Sequence, residues 1–338
     1  MSVLTLPSLT ESRATVLPAM REALDRLDPT SRALASYHLG WTDAEGRPRE
    51  APGGKAVRPA LALLSAQAAG APALVGVPGA VAVELVHNFS LLHDDLMDGD
   101  VERRHRPTVW ALWGPASAIL TGDALLTLAT QVLLDAETPQ AAAATRLLAE
   151  ATQELMRGQV EDLAFERRDD VTAAECVAMA GGKTAALLRA SAAIGAVLAG
   201  APSPVVEGLS VFGWELGLAF QFVDDLLGIW GESSQTGKPV LNDLRSRKKS
   251  LPVTFAMRSG TAAGEELARW ISADGEPTEA DLRHAADLVV AAGGRDWAVS
   301  EAQRRMAVGE QALGGLGLAP PVHEALCALG RFVVGREF

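Results

Sequence analysis

This sequence predicts an all-α fold, and three observations predict it. Hydrophobic residues make up 48% of the 338 residues, supplied mainly by Ala, Leu and Val, with a single Tyr. That apolar set forms helices more readily than sheets. Apolar residues recur at three- and four-residue spacing, and no stretch alternates cleanly enough to argue for a strand. The breaks are short Gly and Pro clusters at 46–54, 70–78, 200–204, 231–239, 274–277 and 314–321. None is Ser-rich or long enough to read as a flexible interdomain linker. A chain of this length can bury about three quarters of its surface. The expectation is therefore a single-domain helical bundle over residues 1–338.

The elements follow in order. Gly53-Gly54-Lys55-Ala56-Val57-Arg58-Pro59 reads as a loop running into a helix, with Pro59 in the first turn. Lys55, Arg58 and the backbone N–H groups there could converge on a phosphate. The next helix runs from about Gly79 to Met97 and puts Val83, His87, Ser90, Asp94 and Asp98 on one face. Arg103-Arg104-His105-Arg106-Pro107 reads as a basic turn, and Gly181-Gly182 before Lys183-Thr184 as a plain helix start. A helix from about Val211 to Trp230 carries Gly213, Gly217, Gln221, Asp224 and Gly228 on one face. Its other side, Phe212, Leu216, Phe220, Val223 and Leu227, is a core stripe.

Both of those helices end in acids: Asp94, Asp95 and Asp98 in one, Asp224 and Asp225 in the other. Acids at a helix C-terminus oppose the dipole and cost stability unless cations are present. The run before Asp94 is too apolar for a surface helix, so its acids need partners. Mg²⁺ prefers hard oxygen ligands and shares them with substrate phosphates. Bases trail each acidic run (Arg103 and Arg104; Lys238, Lys248 and Lys249), as a site for Mg²⁺ plus a diphosphate requires.

The bulk numbers exclude other classes. A net charge of −12 argues against nucleic acid and against an anionic membrane surface. Cys176 and Cys327 fit no metal spacing or disulfide framework, and residues 1–13 lack a secretory pattern, so the expected location is cytoplasmic. The longest apolar runs, such as 192–201, are too short to span a bilayer, so no integral membrane segment is expected.

Taken in order, the motifs resemble those of the trans-isoprenyl diphosphate synthases, or polyprenyl synthetases. They are Gly53-Gly54-Lys55…Arg58-Pro59, the first Asp-rich run with Arg103-Arg104, Gly122-Asp123, Gly158-Gln159, Lys183-Thr184, Phe220-Gln221-Phe222-Val223-Asp224-Asp225, Gly237-Lys238-Pro239, Asp243-Leu244, Lys248 and Leu251-Pro252. The resemblance covers nearly the whole chain. It implies an isoprenoid synthase-type bundle around a central cavity, usually a homodimer, with the two Asp-rich motifs facing each other across the cavity mouth. It implies three Mg²⁺ ions, two on Asp94 and Asp98 and one on Asp224. Arg103, Lys183, Lys238 and Lys248 would grip an allylic prenyl diphosphate, and Lys55, Arg58, His87 and Arg104 would bind isopentenyl diphosphate. Lys183, Thr184 and Gln221 would lie near the developing allylic cation.

Two positions depart from the family pattern. Gly228 stands where the second motif usually ends in Asp, and Ala56 where a basic residue is common. Product length should be set below Asp94. Phe89 lies five residues before it, roughly 7.5 Å down the axis, and small Ser90 lies four before. One aromatic and one small residue, with no insertion between Asp94 and Asp98, resembles the geranylgeranyl (C20) pattern, with farnesyl (C15) the alternative. Two rivals belong to other classes. A class I terpene cyclase would not need Lys55, Arg58, His87 and Arg104, and aromatics are only 5% of the chain. A non-catalytic prenyl diphosphate-binding partner subunit would draw its support from Gly228.

Overall fold

The computed structural model describes residues 7–49, 56–231 and 240–335. Lys55 and Lys238, with the Gly-rich stretches around them, lie outside the described residues. The helical expectation holds: the strands among the described residues are one two-stranded hairpin and an isolated bridge between Thr42 and Pro48. The chain packs as two compact units interleaved in sequence.

The first unit comprises residues 1–152, 190–210 and 316–329. It contains α1 (Pro7–Leu24), α2 (Pro29–His38), α3 (Val57–Ala68), α4 (Val77–Met97), α5 (Val109–Trp113) and α6 (Pro115–Leu134). α4 starts with Pro in its first turn and ends at Asp98, its C-cap. It is the core helix of this unit: Ala80, Val81, Ala82, Val83, Leu85 and Val86 are at most 1% exposed. α3 and α6 cover it. Residues 73–97 and 115–134 are each long and apolar enough to cross a membrane, which corrects the reading that every apolar run is too short. That reading counted uninterrupted runs, whereas a helix tolerates isolated polar residues. α4 needs no lipid to explain its composition, because α3 and α6 bury most of it.

The second unit comprises residues 153–189, 211–315 and 330–338. α7 (Ala141–Phe165) and α10 (Ser203–Trp230) run into it from the first unit; α10 starts earlier than its sequence pattern suggested. α8 (Ala173–Ala180) is opened by a capping box between Thr172 and Glu175. It does not stop at the glycines. Gly181–Ala185 forms a π-helical turn that leads into α9 (Ala186–Leu198), so Lys183 and Thr184 sit in a widened turn, not at a helix start. α11 (Asn242–Arg245), α12 (Leu251–Met257), α13 (Ala262–Ile271), α14 (Glu279–Ala291) and α15 (Gly294–Gly314) follow, and the last helix, α16 (Pro320–Val334), begins in the first unit. The core stripe of α10 is buried as expected at Phe212, Leu216, Val223 and Leu227. Phe222 and Leu226 join Val223 and Leu227 in a cluster with Phe165, Cys176 and Leu251.

Candidate active site

In the first unit the site is built on the end of α4. Successive helical residues point about 100° apart, so the two adjacent aspartates cannot share one role. Asp95 turns inward and is 1% exposed, Asp94 is half-buried, and Asp98 is exposed at the C-cap. Arg103 Nε donates to Asp95 Oδ1 at 2.6 Å. Asp95 Oδ2 is buried without a hydrogen-bond partner among the described residues. Burial pushes the Asp95 carboxyl above its ordinary range, against the pull of Arg103.

The basic turn is a hairpin. β1 (Glu102–Arg103) pairs antiparallel with β2 (Arg106–Pro107) through Arg104 and His105, both left-handed at φ 53° and 58°. Such turns are usually built from Asn and Gly, so nothing in the sequence signalled it. Holding two non-glycine residues there requires anchorage. Arg106 supplies it, donating to the carbonyls of Tyr37 and Thr42 at 2.9 Å each and lying 4.1 Å over the Tyr37 ring. The Tyr37 hydroxyl donates to Pro107 O at 2.8 Å. Arg106 is thus the anchor, and Arg103 and Arg104 are what the hairpin presents.

Behind the hairpin the charges do not balance. Arg58, Arg104 and Arg13 surround Glu84, whose carboxyl burial raises while Arg58 opposes. Arg58 Nε is buried without a partner among the described residues, and burial lowers the pKa of Arg58 and of Arg104. His87 is held neutral by burial and by Arg58, and burial with Arg103 depresses His38 to about 3. Asn88 Nδ2 donates to Glu84. Arg13, Trp41, Glu84, Asn88 and Arg104 line a cavity of about 70 Å³. Desolvated guanidinium groups outnumbering carboxylates make a receptor for an anion. Sequence reading missed Glu84, Asn88 and His38; the signal for Glu84 was its place one turn before His87. Ala56, the departure beside Arg58, is left-handed at φ 52° and caps α3. Deeper on α4, Phe89 is 5% exposed and meets the His93 ring edge-on at 4.9 Å. Ser90 is 8% exposed and donates to His87 O at 2.9 Å, so its hydroxyl is satisfied locally.

In the second unit, Lys183 Nζ donates to Asp162 Oδ2 on α7 at 2.6 Å. Thr184 Oγ1 donates to Gln221 Oε1 at 2.7 Å, and Gln221 Nε2 donates to Asp225 Oδ1 at 2.9 Å. The Leu251 N–H donates to Asp225 Oδ2 at 2.9 Å. Asp225, 3% exposed, is therefore tied down while Asp224 is exposed, the same division as at Asp95 and Asp94. Lys248 lies 3.5 Å from Asp225 and 3.7 Å from Asp243. Burial opposes its charge, but Asp225 and Asp243 together raise its pKa. α7 approaches the π-helical turn closely enough that a Cβ on Gly158 would overlap the Lys183 backbone. The structure thus brings Lys183, Thr184, Gln221 and Lys248 around one cavity of about 50 Å³, with Asp162, Asp225 and Ser250. Asp162 was not expected from the sequence, although it lies one turn after Gly158.

Comparison with known proteins gives a consistent answer. The polyprenyl synthetase family model matches residues 49–289. A (2E,6E)-farnesyl diphosphate synthase of Mycobacterium tuberculosis is 53% identical over 98% of this chain and 94% of its own length. A geranylgeranyl diphosphate synthase of the same organism is 42% identical over 97% and 93%. The crystal structure of a polyprenyl synthetase from Streptomyces coelicolor superposes with a TM-score of 0.94 at 50% identity, covering 97% of this chain and 99% of that one. The fold is the all-α isoprenoid synthase type.

Proteins of that family use Mg²⁺. The donors at the two acidic ends are carboxylate oxygens, which suit a hard cation. Among the described residues no three His, Cys, Asp or Glu side chains converge to hold a metal by themselves. The residues fit Mg²⁺ in the form it usually takes, bound through one or two carboxylates with waters and substrate phosphate oxygens completing the octahedron.

Proposed function

The chain belongs to the polyprenyl synthetase family and is a trans-prenyltransferase, and on that premise we propose that its product is geranylgeranyl diphosphate. The observation that carries this reading is Ser90. One turn below Asp94 the helix offers a small side chain whose hydroxyl is already bonded, while the bulk of Phe89 is packed against His93. A chain growing past that level meets no aromatic ring at position 90. The farnesyl reading draws on a different observation, the 53% identity to a relative named (2E,6E)-farnesyl diphosphate synthase.

In this reading one domain, residues 1–338, works as a cytoplasmic homodimer without membrane-spanning helices. Asp94 and Asp98 hold two Mg²⁺ ions and Asp224 a third. Bound there, Mg²⁺ supplies charge neutralisation for the departing pyrophosphate. Arg103, Lys183, Lys238 and Lys248 grip the allylic diphosphate, and their attraction grows as the C1–O bond breaks and charge accumulates on the leaving group. Arg58, Arg104, Lys55 and neutral His87 hold isopentenyl diphosphate. The carbonyl of Gln221 and the hydroxyl of Thr184, linked at 2.7 Å, offer lone pairs to the allylic cation. Positioning the alkene against that cation replaces a bimolecular encounter. The released pyrophosphate takes the final proton, so no dedicated side-chain base is required.

Product analysis tests the reading. The purified chain is incubated with Mg²⁺, isopentenyl diphosphate and C5, C10 or C15 allylic diphosphates. Mg²⁺-dependent C20 product is expected. Arrest at C15 would replace the geranylgeranyl assignment with the farnesyl one. Cyclic hydrocarbons or alcohols formed without isopentenyl diphosphate would identify a cyclase, and absence of turnover a binding partner.

A further inference from the structure

The anion receptor behind the hairpin has one wall to which none of the expected substrate ligands belongs. That wall is α1, which packs against α3 and α4. Arg13, Val16, Leu17 and Met20 follow one another at i, i+3, i+4 and i+7, the spacing of a single helix face. All four line the cavity of about 70 Å³ that Glu84 and Arg104 also line. Val16 and Met20 are 3% and 4% exposed. Their packing fixes the rotation of α1 and so aims Arg13, one turn before Val16, at the same cavity. We infer that Arg13 is a further ligand of isopentenyl diphosphate, reaching its diphosphate from α1 alongside Arg58 and Arg104.

The charges say why the site needs it. Glu84 acts on both Arg58 and Arg104 and cancels part of their attraction for an anion. His87 is neutral there and adds no charge. Ala56 lines the same cavity and adds none either. Arg13 acts on Glu84 from α1 and offsets it. Arg13 itself makes no hydrogen bond or salt bridge among the described residues, so its guanidinium is not committed to another group. Like Arg104 it is exposed, so an incoming anion reaches both from solvent. The planar fork of a guanidinium matches the oxygens of a phosphate, and three such forks converge on one diphosphate better than two.

The inference rests on the reading that this receptor takes isopentenyl diphosphate, and the test keeps the two apart. Binding of isopentenyl diphosphate alone is measured by calorimetry and the KM of each substrate by turnover, with the melting temperature of every variant recorded. Arg58→Ala is the control for the receptor itself. Arg13→Gln is expected to weaken isopentenyl diphosphate binding by about tenfold, the scale of a lost hydrogen bond to a charged group, and to leave the KM of the allylic diphosphate nearly unchanged. Arg13→Lys keeps the charge and should recover most of the loss. Added salt should weaken binding to the wild-type protein more steeply than binding to Arg13→Gln, because a screened charge has been removed from the variant. If Arg58→Ala weakens binding while Arg13→Gln leaves it unchanged, α1 is no part of the site and the receptor stands. A loss shared equally by both substrates, or one that Arg13→Lys does not rescue, marks Arg13 as a structural residue and overturns the assignment. If Arg58→Ala has no effect, the reading of the receptor falls and takes this inference with it.

Discussion

At each acidic helix end, neighbouring aspartates have been given opposite jobs. Asp95 and Asp225 are buried and bonded, to Arg103 in one case and to Gln221 and the Leu251 N–H in the other. Asp94 is half-buried and Asp224 exposed. The helix enforces the division, because residues one apart cannot point the same way. The two members of a pair should therefore fail differently. Asp94→Ala should abolish turnover while leaving the melting temperature of the metal-free protein unchanged or raised, since a carboxylate cluster repels itself. Asp95→Ala leaves Arg103 without its carboxylate and should cost about 1–3 kcal/mol of stability, the typical penalty for orphaning a buried polar partner. Thermal denaturation of both variants beside a turnover assay checks the contrast. A large stability loss for Asp94→Ala would mean that Asp94 is a structural acid and that Asp98 alone faces the substrate.

At the scale of elements, what could be read in the sequence was what periodicity encodes. The span of α4, its acid-bearing end and the buried stripe of α10 all follow from three- and four-residue spacing. What could not be read was backbone geometry imposed by tertiary contacts. The hairpin that presents Arg103 and Arg104 depends on two left-handed non-glycine residues and on an anchor, Arg106 to Tyr37, separated by 69 residues. The π-helical turn at Gly181–Ala185 looked like a helix start because two glycines precede Lys183. Its widening is matched by α7, where Gly158 admits the Lys183 backbone. Gly158→Ala should force that turn away from α7, with an overpacking cost of about 1–3 kcal/mol. The shift should separate Lys183 from Asp162, which now lie 2.6 Å apart. The expected signature is a raised KM for the allylic diphosphate with little change for isopentenyl diphosphate. An equal change in both, or none, would show that the close approach does not position Lys183.

For the molecule as a whole, the sequence conveyed a helical enzyme whose charge disfavours nucleic acid, but it left one surface unexplained. α6 has a long apolar sequence, yet only part of it is buried in its own unit. Ile119, Leu120 and Leu134 are 42%, 64% and 55% exposed, and Leu112 and Trp113 on α5 are exposed as well. Large apolar side chains left exposed along a helix can serve an interaction surface, and the proposed homodimer supplies a partner that exposes the same residues. A two-fold interface is self-complementary, so one substitution strikes it twice. Leu120→Glu should convert the dimer to monomer at micromolar concentration, read by light scattering or sedimentation. It should do so without lowering the stability of the unit that contains α6, because Leu120 is mostly exposed there. Burying two carboxylates against an apolar face costs several kcal/mol with no compensating partner, more than a modest interface can absorb. A Leu120→Glu protein that stays dimeric would place the contact elsewhere, and a wild-type protein that is already monomeric would remove the homodimer from the functional proposal.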